Sequence, residues 1–501
     1  MAWLRPDEPD EAGRRRFRVL TPGTGEDTGQ LVCANADDVH AAMARARAAQ
    51  ALWADVTVPE RVRLMSAALQ CIVDHAEDYV AELRRDTHRV ELETLFIELF
   101  AAADAMNFYG RRAAKILAPH RTGLHLLRTK RAQIHHRPMG VVAVISPWNG
   151  PFILSINPTI QAVLAGNAVV IKPSEVTPWS GALAARIFTE AGFPKDLVQV
   201  VQGDGATGAA LIAAEPDKVC FTGSVKTGRK IGAACGERLI PCTLELGGKD
   251  AMIVCADADL DRAAGGAVFG GVMNAGQYCS GTERIYVVRE VADAFIAKVV
   301  DKVEALTPDV DYGPMIFEPQ CDIIQRHLDD AVERGATLHC GGTVDNGYVR
   351  PAVLTGVTHD MALMTEETFG PILPIMVVDS EDEAIAIAND SAYGLGANVW
   401  SRDKGKAQRI ASMLEVGAVS INDAALAYGA LEVPFGGRKA SGVGQVNGAE
   451  GLRNFTFAQP VLTERIGPKQ EWIWYPYTDD KVDGLKKALK WMWGTPLRWF
   501  L

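Results

Sequence analysis

The sequence predicts an α/β protein with two alternating domains, and three observations lead there. Residues 139–247 alternate short β-branched runs with helical stretches, namely VVAVIS, NAVVIKPS, LVQVVQGDG, KVCFTGS and TLELGG, punctuated by Gly or Pro. A second alternation fills 248–437 through AMIVCA, ERIYVV, PILPIMVV and GAVSIN. At 501 residues, 48% of them apolar, the chain is also too long for one hydrophobic centre. The first alternation is the pattern of a parallel doubly wound sheet, which binds ligands at the carboxyl ends of its strands.

Each part follows in chain order. Residues 37–54 and 59–85 carry apolar side chains at helical spacing among Ala, Leu, Arg and Glu, so the region before 121 reads as packed helices. They join 139–247 as the first domain. RRRFR at 14–18 reads as a solvated strand start. Residues 122–138 (TGLHLLRTKRAQIHHRP) lose the helical period and read as an extended hairpin arm, and strand-like GLRNFTFAQPVL places 438–465 with it. The arm and the strand near 452–463 are expected to pair across subunits of a dimer or tetramer, since a long exposed edge is a liability unless covered. Beyond lies a tail, 466–501, whose part from 471 holds five of the ten tryptophans. There Val482, Leu485, Leu489 and Met492 share one helical face, with Lys481, Lys486, Lys487 and Lys490 largely elsewhere. Such an amphipath can lie in a membrane interface. It can equally pack on a neighbouring subunit or cover a substrate entrance, the more usual fate of an amphipathic helix.

A net charge of −11 argues against nucleic acid as a partner. The acidic and arginine-rich N-terminus does not fit a secretory signal, and no apolar run is long enough to span a bilayer. The nine cysteines are scattered singly, with no CxxC pair and no His spacing suited to zinc, so no metal is expected and a reducing cytoplasm fits best.

The residue types that can carry chemistry stand in the loops that close the strands. Cys279, in GQYCSG, stands among small neighbours that let other groups approach. A thiol needs positive potential or backbone N–H groups to become a thiolate nucleophile, and most lone cysteines are simply small buried hydrophobes. Asn149, in PWNGPF, offers an amide that could face an oxyanion or serve only a turn before Gly150. Glu245 sits at an apolar strand end, where an acid is costly unless it works as a base or pairs with a lysine. Glu366 and Asp250 are weaker competitors for that role. FTGSVKTG follows a strand and opens a helix, so Gly223 and Gly228 can admit a pyrophosphate to the helix N-terminus, although this is not the GxGxxG fingerprint.

Taken in order, PWNGPF (147–152), IKPSE (171–175), FTGSVKTG (221–228), LELGGK (244–249), GQYCSG (276–281), EETFGP (366–371) and PFGGRKASG (434–442) resemble the aldehyde dehydrogenase superfamily over residues 20–460. The resemblance implies an NAD-binding domain (1–121 and 139–247), a catalytic domain (248–437) and an oligomerisation arm. It implies Cys279 as the nucleophile forming a thiohemiacetal, Asn149 with the Cys279 amide as the oxyanion hole, and Glu245 as the base that hydrolyses the thioester. Ser224 is similar to the serine that contacts the pyrophosphate, and Lys172 and Glu175 match residues that hold the adenosine ribose. A carboxylate at 175 would repel a 2′-phosphate, which implies NAD, with NADP as the exception. Glu367 and Phe369 match positions at the nicotinamide ribose and ring, and Trp148, Ser174 and Leu246 fall in the same cofactor motifs.

Two departures concern proton relay. Where many members carry a lysine after PWN this chain has INP, ending in Pro158, and Val446 stands where a glutamate is often found. WYPY and INP are similar to the membrane-associated fatty-aldehyde branch, and Tyr278 and Phe435 would add aromatic surface near the reacting carbon. Together these imply a long-chain or aromatic aldehyde as substrate. Two other readings stand beside oxidation to the acid: a catalytically idle NAD-binding scaffold linked to membranes, and a coenzyme A-acylating enzyme.

Overall fold

A computed structural model describes residues 3–496. Before the predicted helices it places a three-stranded antiparallel sheet, Leu4–Asp7, Arg16–Leu20 and Asp27–Val32. Helices Ala36–Trp53, Val58–Asp74, Ala76–Thr87 and Ala101–Leu117 follow. The first is held by a capping box in which Asn35 and Asp38 satisfy each other's backbone N–H. Between the last two, Thr94–Phe100 forms a π-helical turn, a device that re-aims side chains.

The first large sheet has six strands in the order Gly442–Val443, Cys242–Glu245, Lys218–Thr222, Val141–Ile145, Ala168–Lys172 and Val198–Val200. All are parallel except Gly442–Val443. Val141–Ile145 is buried along its whole length because helices cover both sheet faces, as its unbroken apolar run requires. The chain reverses its winding beside this strand, and there a doubly wound sheet opens a crevice.

The second sheet has seven strands, in the order Thr337–Cys340, Ala352–Thr355, Ile372–Val378, Thr282–Val288, Asp250–Val254, Gly396–Trp400 and Ala418–Ile421. Only Thr337–Cys340 runs antiparallel.

Two expectations about the arm need revision. Thr456–Glu464 pairs with Lys130–Pro138 of the same chain, register running from Thr456 opposite Pro138 to Glu464 opposite Lys130. The pairing expected between subunits is thus made within one chain, and the outer edge of Thr456–Glu464 is what stays exposed. Gly442–Val443 extends the first sheet, and helix Gly448–Arg453 brings Leu452 into that domain's core. In the tail, Asp479–Trp493 forms a helix, with Trp472, Trp474, Leu485, Leu489, Trp491 and Trp493 exposed. Trp499 lies outside the described residues. No helix among the described residues is long and apolar enough to cross a membrane.

Candidate functional site

A cleft of about 1040 Å³ opens at the carboxyl ends of the six-stranded sheet. Four strands contribute through their ends: Trp148 and Asn149 follow Val141–Ile145, Lys172 ends Ala168–Lys172 with Ser174 and Glu175 after it, Gly223 and Ser224 follow Lys218–Thr222, and Leu246 follows Cys242–Glu245. Ser224 caps helix Val225–Glu237, accepting the Thr227 N–H at 3.3 Å, so the positive end of a 13-residue helix faces the cleft. Lys172 and Glu175 are paired at 3.2 Å. Gly223 lines the cleft, but Gly228 does not. A Cβ at 228 would strike Leu246, so this glycine serves close packing of helix on strand rather than approach to a ligand. Thr227, Lys230 and Arg238 also line the cleft and lie outside the residues singled out from sequence.

Towards its other end the cleft meets Glu367 and Phe369. Their loop is locked from beneath: Glu283 accepts the Thr368 and Phe369 N–H groups at 2.7 and 2.9 Å and pairs with buried Lys249 at 2.6 Å. Phe369 takes a left-handed φ of 49° and meets the Trp148 ring edge-on at 5.5 Å. Glu367 accepts the Gly248 N–H at 2.9 Å, and burial, helped by the Glu283 charge, pushes its carboxyl up to about 8. The cleft therefore offers a dinucleotide what it needs: a helix N-terminus for phosphate, a carboxylate beside a lysine for ribose hydroxyls, and an aromatic wall at the end nearest the thiol.

Cys279 stands where this cleft meets a second chamber of about 30 Å³. The loop reaches that point through consecutive left-handed residues, Asn274, Ala275 and Gly276, with φ of 55°, 53° and 71°. Side-chain-free Gly248 lets its backbone pass against the Cys279 carbonyl. The positive potential expected around the thiol is not what surrounds it. Burial raises its pKa most, and the carboxylates of Asp250, Glu245 and Glu367 raise it further; only the Ser280 backbone N–H among the main influences acts the other way. These influences favour the thiol over the thiolate.

Asn149 is aimed by a buried frame. Arg89 and Glu98, each with a side chain 1% exposed, pair at 2.7 Å. Arg89 also donates to the Asn149 carbonyl and, at 2.7 Å, to Asn274 Oδ1, while Glu98 accepts the Ile153 N–H at 2.7 Å. Asn274 Nδ2 donates to the same Asn149 carbonyl at 2.8 Å, and Asn149 Nδ2 reaches the Gln277 carbonyl at 3.1 Å. The Asn149 amide and the cysteine loop are thus fixed to one another. Arg89, Glu98, Asn274 and Gln277 were not found from sequence. The only signal in it is the cost of charge in an apolar surround, and neither ion's surroundings can be read before the fold is known.

Glu245 lies in the chamber with Cys279, both carboxyl oxygens buried without hydrogen-bond partners. Burial alone lifts its pKa well above the usual carboxylate value. Among the described residues no lysine pairs with it. Of its competitors, Glu366 faces outward to Arg326 and His327, and Asp250 is committed to the Gly396 N–H at 2.9 Å. Pro158 and Val446 both line the Glu245 chamber, as does Phe435. Tyr278, expected to border the substrate, is half-buried and lines neither the cleft nor the chamber.

A doubly wound sheet with a dinucleotide-sized cleft ending on a thiol defines the class as oxidoreductase. The chain belongs to the aldehyde dehydrogenase family: the model described as "Aldehyde dehydrogenase family" matches residues 9–461. It is 40% identical over 482 residues to the 4,4′-diapolycopene aldehyde oxidase of Methylomonas sp, covering 95% of this chain and 91% of that one. A Mycolicibacterium smegmatis protein, provisionally named as a succinate-semialdehyde dehydrogenase [NADP(+)], is 42% identical over 456 residues and 88% of each chain. The structure of Mycobacterium tuberculosis aldehyde dehydrogenase complexed with NAD+ superposes with a TM-score of 0.86 at 36% identity, over 92% of this chain and 96% of that one. Oxidation of an aldehyde with NAD(P) as acceptor is the activity this membership carries.

Proposed function

We propose that the chain oxidises an apolar aldehyde, long-chain or aromatic, to the carboxylic acid through a covalent intermediate on Cys279, with NAD preferred. One observation carries the reading: the Cys279 thiol lines both the dinucleotide-sized cleft and the chamber that holds a buried carboxyl with no partner. The Cys279 S–H bond breaks, its proton leaving to solvent, as the sulfur adds to the aldehyde carbon; the oxyanion that forms is stabilised by the Asn149 amide and the Cys279 N–H, and its collapse to a carbonyl expels the hydride and leaves the thioester. Lys172, Glu175 and Ser224 would hold the dinucleotide, Ser174 and Leu246 line its path, and Trp148, Glu367 and Phe369 would border its reactive end. When bound it supplies the hydride acceptor. Glu245 then takes a proton from water as that water attacks the thioester, the carbon–sulfur bond breaks, and the acid leaves.

The relatives' names point to different substrates, one of them a semialdehyde that carries a carboxylate. The apolar preference rests instead on the likeness of WYPY and INP to the fatty-aldehyde branch. The Glu175 carboxylate supports NAD over NADP. The exposed edge of Thr456–Glu464 supports a dimer or tetramer, and the exposed tail tryptophans support burial against a neighbouring subunit or a membrane interface. The test is NADH absorbance with long-chain, aromatic and charged aldehydes, before and after iodoacetamide. Turnover of apolar aldehydes that alkylation abolishes is expected. Bound NAD with no turnover on any of them would favour the idle scaffold, and a strict need for coenzyme A would favour the acylating enzyme.

Two further outcomes follow from the site. Asn149→Ala is expected to lower kcat by roughly 10²–10³-fold, the usual loss for one oxyanion donor, with cofactor affinity little changed; stopped-flow NADH formation and a separate NAD titration measure the two. Glu245 must be ionised to act as a base, and its native pKa is raised above the ordinary 4.5, so kcat should climb with pH until that carboxyl has lost its proton. Stability runs the other way. Above about pH 4.5 the unfolded chain releases a proton that native Glu245 retains, so this group's contribution falls as pH rises towards its native pKa. Glu245→Gln should lose activity yet melt progressively higher than the parent as pH rises above about 4.5.

A further inference from the structure

The chamber behind Cys279 holds more unpartnered oxygen than the proposed chemistry has used. Both carboxyl oxygens of Glu245 and the Oε1 of Gln161 are buried with no hydrogen-bond partner, and Gln161, 1% exposed, lines the same chamber. A space of about 30 Å³ admits one water, and several orphaned acceptors around it are what an internal water satisfies.

Gln161 is also held so that its oxygen stays available. On helix Ile153–Leu164 it lies one turn after Asn157, and its Nε2 is spent on the Asn157 Oδ1 at 3.2 Å and the Asn157 carbonyl at 3.4 Å. Asn157 is pinned in turn by Tyr428 Oη at 3.1 Å and Asn447 Oδ1 at 3.2 Å. With the amide nitrogen committed, the amide oxygen is the end left to accept. Pro158 and Val446 complete the wall and offer no donor or acceptor side chain.

We infer that Gln161 is a positioning residue for the hydrolytic water, accepting one of its O–H bonds while Glu245 accepts the other. This rests on the roles proposed for Cys279 and Glu245. With both hydrogens held, the water's lone pair is left to attack the thioester carbon. One O–H bond breaks as its proton passes to the Glu245 carboxylate, a C–O bond forms, and the C–S bond breaks with its electron pair returning to sulfur. Gln161 neither gains nor loses a proton. It acts only in hydrolysis, because thiol addition and hydride loss need no water.

The experiment is Gln161→Met, close in size but without the acceptor, compared with Gln161→Glu, which restores one. With saturating NAD and a reactive aldehyde, rapid mixing measures the first NADH formed and the steady rate after it, and intact-protein mass spectrometry follows acylated enzyme during turnover. For Gln161→Met the first NADH should form within about twofold of the parent rate, the steady rate should fall roughly tenfold as for a lost hydrogen bond, and the acyl adduct should accumulate. The amplitude of the first phase counts folded sites, so misfolded protein does not mimic the effect. Gln161→Glu should recover part of the steady rate. First and steady rates that fall together, or a steady rate that does not change, would overturn the assignment. Glu245→Gln serves as the control: if it too accumulates no adduct, the covalent reading itself has failed, and this inference with it.

Discussion

Cys279→Ser is expected to cut NADH formation by at least about 10³-fold while NAD still binds, because no other group in the site can add to the carbonyl and leave again. A serine hydroxyl is far harder to ionise than a thiol, and the site gives it no help. Burial weighs most on position 279, and carboxylates, not cations, add to its effect. The remaining cysteines give no substitute. Cys220 lines the small chamber but is buried on the Lys218–Thr222 strand, and the others line neither cavity. Residual turnover above a hundredth of the parent rate would require a second nucleophile and would remove Cys279 from the mechanism.

Arg89→Met should have the largest effect on stability, about 3–5 kcal/mol, the usual cost of stripping one partner from a buried ion pair. Glu98 would be left charged in a surround that holds its side chain at 1% exposure. The Asn149 carbonyl and Asn274 Oδ1 would lose their guanidinium donor at the same time. The melting temperature should therefore drop, and in the fraction that stays folded kcat should fall further than KM rises, because the oxyanion donor and the cysteine loop lose their common anchor. Removing both ions with Arg89→Met and Glu98→Leu should recover part of the stability without recovering kcat. If Arg89→Met leaves kcat intact in soluble protein, the pair serves packing alone.

Much of the architecture was legible because parallel strands covered on both faces read as unbroken apolar runs. VVAVIS and NAVVIK become adjacent strands of the first sheet, and AMIVCA and ERIYVV adjacent strands of the second. Asn149, Lys172 and Glu245 close such runs, which places them at loop starts, but the roles expected of them came from the family motifs they match and not from the runs. Short polar segments carry no such period. Leu4–Asp7 and Gly442–Val443 are strands through their partners alone, and two or four residues cannot show alternation. Gly228 was misplaced because a glycine needed for helix packing and one needed for ligand approach look alike until Leu246 is seen beneath it. Arg89 and Glu98 were illegible for a deeper reason: Arg89 meets Asn149 and Asn274 across 60 and 185 residues of chain and Glu98 meets Ile153 across 55, and only tertiary structure shows that the contacts exist.

The most direct measurement is the mass of Glu245→Gln protein during incubation with NAD and an apolar aldehyde. The expected result is one NADH per subunit and an increment equal to the acyl group, located by peptide mapping on Cys279. Steady NADH release with an unmodified Cys279, or an acyl group on any other residue, would contradict the account.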